Sequence, residues 1–151
     1  MNREIKFRGK NKVTNEWIYG GYYKHLKRTP CPIGDSIKDD DYISLISKSG
    51  FSDWNMPKPV EYFAVDEKTV GQYTGLKDKK GIEIYEGDIV KVNKFTFDCK
   101  KVPTELIVVY ELDGFVLNKK DGSSNMGLHL PYAQDCEVIG NVHDNQELLV
   151  S

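Results

Sequence analysis

Lys77, Lys79 and Lys80 crowd the stretch "LKDKKGIEIY", and Lys91, Lys94, Lys100 and Lys101 follow it, with Tyr73, Tyr85, Phe95 and Phe97 interleaved. Lysines that track phosphates beside rings that stack bases are the mix that grips single-stranded nucleic acid. Arg3 and Arg8 would have to share that basic face. The same residues also suit a plainer reading, in which the rings are strand residues packed on a sheet and the lysines sit on a solvated turn. A second aromatic cluster, Trp17 with "YGGYY" at Tyr19–Tyr23, suits packing around a glycine break or an exposed patch for a protein partner, since Tyr and Trp dominate binding hot spots.

Other residue types that could do chemistry are poorly placed for it. Gly34-Asp35-Ser36 has the letters of a hydrolase nucleophile block, but neither His129 nor His143 follows an Asp by three residues, as the matching triad needs. Asp39-Asp40-Asp41 lacks the spaced oxygen ligands of a calcium loop and reads as an acidic turn. His25, His129 and His143 are scattered, as are Cys31, Cys99 and Cys136, so a zinc site is not expected and the thiols read as reduced and structural. Glu83, Glu86 and Asp88 are the acids to inspect if a polar pocket exists. No phosphate loop, dinucleotide fingerprint or nucleophile elbow occurs, so no enzyme, no cofactor and no catalytic residue are expected.

The elements that would position these groups are strands. "REIKFRGK" alternates, with Ile5 and Phe7 to one side and Lys6 and Arg8 to the other, and "EWIYGGYY" continues it as an N-terminal hairpin broken or bulged at Gly20-Gly21. Residues 28–60 hold four of the six prolines and read as a long irregular excursion, with room for one short strand at "YISLIS". Beyond Val60 the β pattern returns. Asp78-Lys79-Lys80-Gly81 and Gly87-Asp88 are turn signals, with the glycines where φ is positive and the aspartates as turn caps. "ELIVVYELDGFVLN" reads as a hairpin with Leu106, Val108, Tyr110 and Leu112 on one face and Asp113-Gly114 as its two-residue turn.

No sustained 3.6-residue period occurs, so helix content is expected to be low. The fold class is all-β or β-rich: a small bent sheet or a barrel of the SH3-like kind, with an N-terminal hairpin and little helix. One domain over 1–151 is expected, its residues 69–142 a barrel-like half. No apolar run is long enough for a membrane span, and "MNREIKFRGK" carries no apolar leader, so a cytoplasmic location is expected.

The three stretches "REIKFRGK", "QYTGLKDKKGIEIYEGDIVKV" and "EVIGNVHDNQELL" resemble the YopX family, small proteins carried by phages, prophages and other mobile elements of bacteria. The resemblance implies a β-rich fold and a bacterial host cytoplasm, and supplies no catalytic residue. The net charge of −2 conceals alternation: residues 1–28, 29–67, 68–101 and 102–151 carry +6, −5, +3 and −6. Such alternation fits charges matched within the fold or across an interface with a second copy or a host protein. The alternative is a nucleic-acid-binding barrel that uses segments 1–28 and 68–101.

Overall fold

The structure is a computed structural model that describes residues 2–50, 54–95, 100–112, 114–122, 125–127 and 134–150, with the backbone alone for 94, 95 and 125–127. The chain is β-rich and antiparallel, and divides into two compact units. One runs from Ile5 to Gly71; the other takes the chain from Gln72 onward together with the N-terminal residues up to Glu4.

The first unit is built on four strands, β1 (Phe7–Lys10), β2 (Trp17–Leu26), β3 (Tyr42–Ser49) and β4 (Val60–Ala64), in the spatial order β4-β3-β2-β1. The expected N-terminal hairpin is present. Its turn is fastened by Asn11, whose side-chain oxygen accepts from the Val13 and Thr14 amides. Through Gly20 strand β2 pairs with β1, and from Gly21 it pairs with β3. A Cβ on Gly20 would lie 1.8 Å from the Ser47 carbonyl oxygen, so this position must be glycine. The glycine pair therefore marks a change of partner within one continuous strand rather than a bulge. An isolated bridge between Asn11 and Val65 brings the end of β1 to the end of β4, so the sheet curls back on itself. Among the described residues it stops short of a closed barrel. Ile18, Ile46 and Val65 form the core of this unit, with Phe7, Tyr22 and Phe63 packed around them.

Within residues 28–60 the irregular part is shorter than expected, because β3 is an eight-residue strand paired on both sides. Ile46 and the buried Ser44 face the core, while Ile43 and Leu45 face the other way. Apolar residues on both faces hide the alternation. The loop before β3 is gathered by Arg28. Its guanidinium donates to both oxygens of Asp41 at 2.9 Å, to both oxygens of Asp35 at 2.5 and 3.2 Å, and to the Ser36 carbonyl. Both aspartates are held below their ordinary range by Arg28, Asp41 down to about 2. The two acidic motifs of this region thus serve as ligands for one arginine.

The second unit carries β5 (Gly71–Lys77), β6 (Glu83–Tyr85), β7 (Asp88–Phe95), β8 (Lys101–Glu111), β9 (Gly114–Asn118), β10 (Asn125–Gly127) and β11 (Glu137–Asn141), then a short helix α1 (Glu147–Val150). β5 pairs with β6, and a five-stranded sheet has the open order β10-β9-β8-β7-β11. Ile84, Val90, Val92, Leu106, Val108, Leu117 and Cys136 are buried together. Among the described residues no barrel closes here either, so of the two sheet forms expected it is the bent open one that occurs.

The turn residues do what their types suggest. Gly81 and Gly87 have φ of +82° and +85°. Asp78 is buried and accepts from three amides: Lys80 at 2.8 Å, Ile82 at 2.9 Å and, from β11, Val138 at 3.0 Å. Asp88 is buried and accepts from the Tyr85 amide at 2.8 Å. The β8–β9 turn differs from the sequence reading. Glu111 pairs with Gly114, so Gly114 is already strand, and Leu112 bears the positive φ of +39°. Asp113 lies outside the described residues. The register that places buried Val108 opposite buried Leu117 fixes this arrangement, and Tyr110 and Leu112 run past the core into solvent.

Candidate functional site

The outer face of β2, β3 and β4 is assembled by register. Gly21 lies opposite Ser47, which lies opposite Tyr62; in the next row Tyr23 lies opposite Leu45 and Leu45 opposite Ala64. Paired residues share a face, so Tyr23 and Tyr62 stand on the same side of the sheet, one on each outer strand of the three. Leu45 and Ser47 of β3 lie between them, and Gly21 leaves the position opposite Ser47 on β2 without a side chain. The result is a groove of about 540 Å³, lined by Gly21, Tyr23, His25, Leu45, Ser47 and Tyr62 among others. Tyr23 and Tyr62 are 57% and 61% exposed although large and aromatic, and Tyr19, on the same face of β2, is 48% exposed. The His25 ring leans on Tyr23 at a centroid distance of 5.8 Å. Ser47 donates its hydroxyl to the Gly21 carbonyl at 3.2 Å, so it is engaged with backbone. Such a site offers apolar area with few rotatable bonds, rimmed by hydroxyls and one imidazole. It can bind, and it presents no nucleophile aligned with a base.

Several of the basic residues singled out in the sequence are buried or matched with acidic neighbours. Arg8 is buried, 6% exposed, with its guanidinium carbon 4.6 Å from the centre of the Trp17 ring. It cannot reach a phosphate at the surface, and the reading of Arg8 as outward-facing is corrected. Ile5, expected inward, is 54% exposed; the core positions of β1 are Phe7 and Gly9. Arg3 lies against Gly75 of β5. Lys77 is exposed and pairs in register with Glu83. Lys79 and Lys80 both engage Glu137, at 2.7 and 2.5 Å, and together hold its carboxyl down to about 2. Lys91 stands in register between Glu137 of β11 and Glu105 of β8, and Glu105 in turn meets Lys120 at 2.8 Å. Lys94 has its backbone in β7 and its side chain outside the described residues. Lysine and glutamate thus alternate across β8, β7 and β11, and segments 1–28 and 68–101 fall largely in different units.

Glu83, Asp78 and Asp88 near the central motif are engaged within the fold. Glu83 accepts the Tyr85 hydroxyl at 2.9 Å, and Asp78 and Asp88 bind backbone amides as above. Among the described residues no group of three His, Cys, Asp or Glu side chains could hold a metal ion. Burial pushes the Cys136 thiol up to about 11, which keeps it protonated and unreactive; Cys31 is exposed, and Cys99 and His129 lie outside the described residues. Among the described residues no helix is long and apolar enough to cross a membrane.

Comparison with known proteins decides the family. The family model described as "YopX protein" matches residues 6–150, nearly the whole chain. The chain belongs to the YopX family. Nothing among curated proteins matches this YopX member. The crystal structure of protein EF1440 from Enterococcus faecalis is similar in fold, with 23% identity, a TM-score of 0.56, and coverage of 98% of this chain and 99% of that one.

Sequence reasoning singled out the cluster that holds Tyr23, one wall of the groove, and read it as packing or as an exposed patch. It missed Leu45, Ser47 and Tyr62, whose approach depends on pairing between strands far apart in sequence.

Proposed function

We propose that this YopX protein is a binding module without a catalytic step, which engages a partner protein of a bacterial cytoplasm through the tyrosine-walled groove on β2, β3 and β4, on behalf of a phage or other mobile element. The observation that carries this reading is the placement of Tyr23 and Tyr62, each more than half exposed, on one sheet face on either side of Leu45 and Ser47. Large rings held in place by a sheet gain contact area at little cost in conformational entropy, which is why tyrosine is enriched at protein interfaces.

The test is a quantitative comparison of proteins that co-purify with the wild type and with the Tyr23→Ala/Tyr62→Ala double variant. Exposed positions leave stability nearly unchanged, within about 1 kcal/mol. The expected result is one or a few proteins depleted roughly thirtyfold by the double variant, the equivalent of about 2 kcal/mol in binding. Identical recovery from both would contradict the reading.

A further inference from the structure

The groove continues to an open sheet edge. The Gly50 amide donates to the Pro59 carbonyl, and the Val65 amide to the Ser44 carbonyl. Odd-numbered residues along β4 therefore turn their backbone groups toward β3, and even-numbered residues turn theirs outward. The Ala64 carbonyl is taken by the Lys12 amide at 3.0 Å. The outward N–H and C=O groups of Val60 and Tyr62 have no partner among the described residues. Their side chains, 58% and 61% exposed, stand on the groove face. A strand laid along this edge would meet four backbone groups, and the residues bonded to Val60 and Tyr62 would project onto the same face as the tyrosines.

Charge narrows what that strand is. Lys58 precedes the open stretch, and Lys12 closes its far end through the bond to Ala64. Neither lysine forms an ion pair among the described residues. Along an extended strand the seven positions from 58 to 64 span roughly 20 Å. Glu61, the acid of β4, points to the opposite face, where its carboxyl group lies 2.9 Å from the site of a Cβ on Gly50. Asp66 is occupied in accepting the Lys68 amide.

We infer that the partner is captured by strand addition: an extended segment of about seven residues, apolar at alternate positions and acidic at both ends, pairs with β4 and lays its apolar side chains over Tyr62 toward the groove. This rests on the groove reading and specifies how the groove is filled.

The probe is a fluorescein-labelled, end-blocked peptide, Asp-Thr-Val-Thr-Val-Thr-Asp, titrated with the full chain and followed by anisotropy. Three comparisons accompany it: the same peptide with Lys at both ends, the same peptide N-methylated on alternate amides, and Val60→Pro protein with the original peptide. Proline at position 60 removes one outward N–H and leaves the β3 side of the ladder unaltered. Saturable binding is expected, weakened about tenfold or more in each comparison, the scale of one or two backbone hydrogen bonds or a pair of charge contacts. The N-methylated peptide on wild-type protein tests backbone pairing even if Val60→Pro folds poorly. Absence of saturable binding, or equal affinity for the N-methylated or Lys-ended peptides, would overturn strand addition. So would self-association of the chain that Val60→Pro abolishes, because β4 would then pair with a second copy. A partner still lost from the Tyr23→Ala/Tyr62→Ala variant but indifferent to Val60→Pro would remove this inference and leave the groove reading intact.

Discussion

At the scale of single residues, carboxylates are the most informative groups in this chain, and they act on backbone and lysine partners. Asp78 has the largest structural role. Truncation to alanine strands the amides of Lys80, Ile82 and Val138 in a buried setting, and a stranded buried donor costs about 1–3 kcal/mol. Asp78→Ala is expected to lower unfolding free energy by about 3 kcal/mol or more in urea titration. A loss under about 1 kcal/mol would mean that water replaces the carboxylate without penalty. Glu137 gives a pH prediction. Its folded value of about 2 lies below its ordinary 4.5, so the ion pairs with Lys79 and Lys80 favour the folded chain above pH 4.5 and lose that effect as pH falls toward 2. The urea midpoint of the wild type is expected to fall more steeply over that window than that of Glu137→Gln. Parallel curves would show that the exposed pairs add nothing. Asp78, Gly81, Gly87 and Asp88 were legible as turn residues because turn chemistry is local. Arg8 was not, because its burial depends on Trp17 of the neighbouring strand.

At the scale of elements, β2 decides how the N-terminal unit is shaped. It serves β1 up to Gly20 and β3 from Gly21. Alanine at Gly20 drives a Cβ into the Ser47 carbonyl, a backbone atom that cannot rotate away, whereas at Gly21 the contact is with the Ser47 hydroxyl at 2.9 Å, which can. Gly20→Ala is therefore expected to cost about 3 kcal/mol and Gly21→Ala less than about half of that, measured by denaturant unfolding. Equal costs would show that the change of partner does not depend on close approach at Gly20. The existence of β1, β2 and the strands after Val60 was legible from alternation and turn signals. β3 was only partly so, since its apolar residues face both ways and prolines flank its segment. The β8–β9 turn was misplaced because Asp113-Gly114 is a strong local signal, while the register answers to the more distant pairing of Val108 with Leu117.

At the scale of the whole molecule, the β-rich class followed from aromatic content, closely spaced turns and the lack of helical periodicity. Family membership followed from three separated stretches and is carried by a match over residues 6–150. Charge alternation along the chain resolves into local pairings such as Arg28 with Asp35 and Asp41, and Lys79 and Lys80 with Glu137, which favours structural use of the charges over a phosphate-tracking face. The groove could not have been read from the sequence, because its two tyrosine walls are some forty residues apart and meet only through β3. Site-specific photo-crosslinking tests the central claim, that this groove is where a protein partner sits. A benzoylphenylalanine placed at Tyr23 or Tyr62 is compared in bacterial cells with one placed at Ile82, which is exposed in the other unit. The account predicts a discrete adduct with one protein from positions 23 and 62 and none from 82. No adduct from the groove, or the same adduct from all three positions, would contradict it.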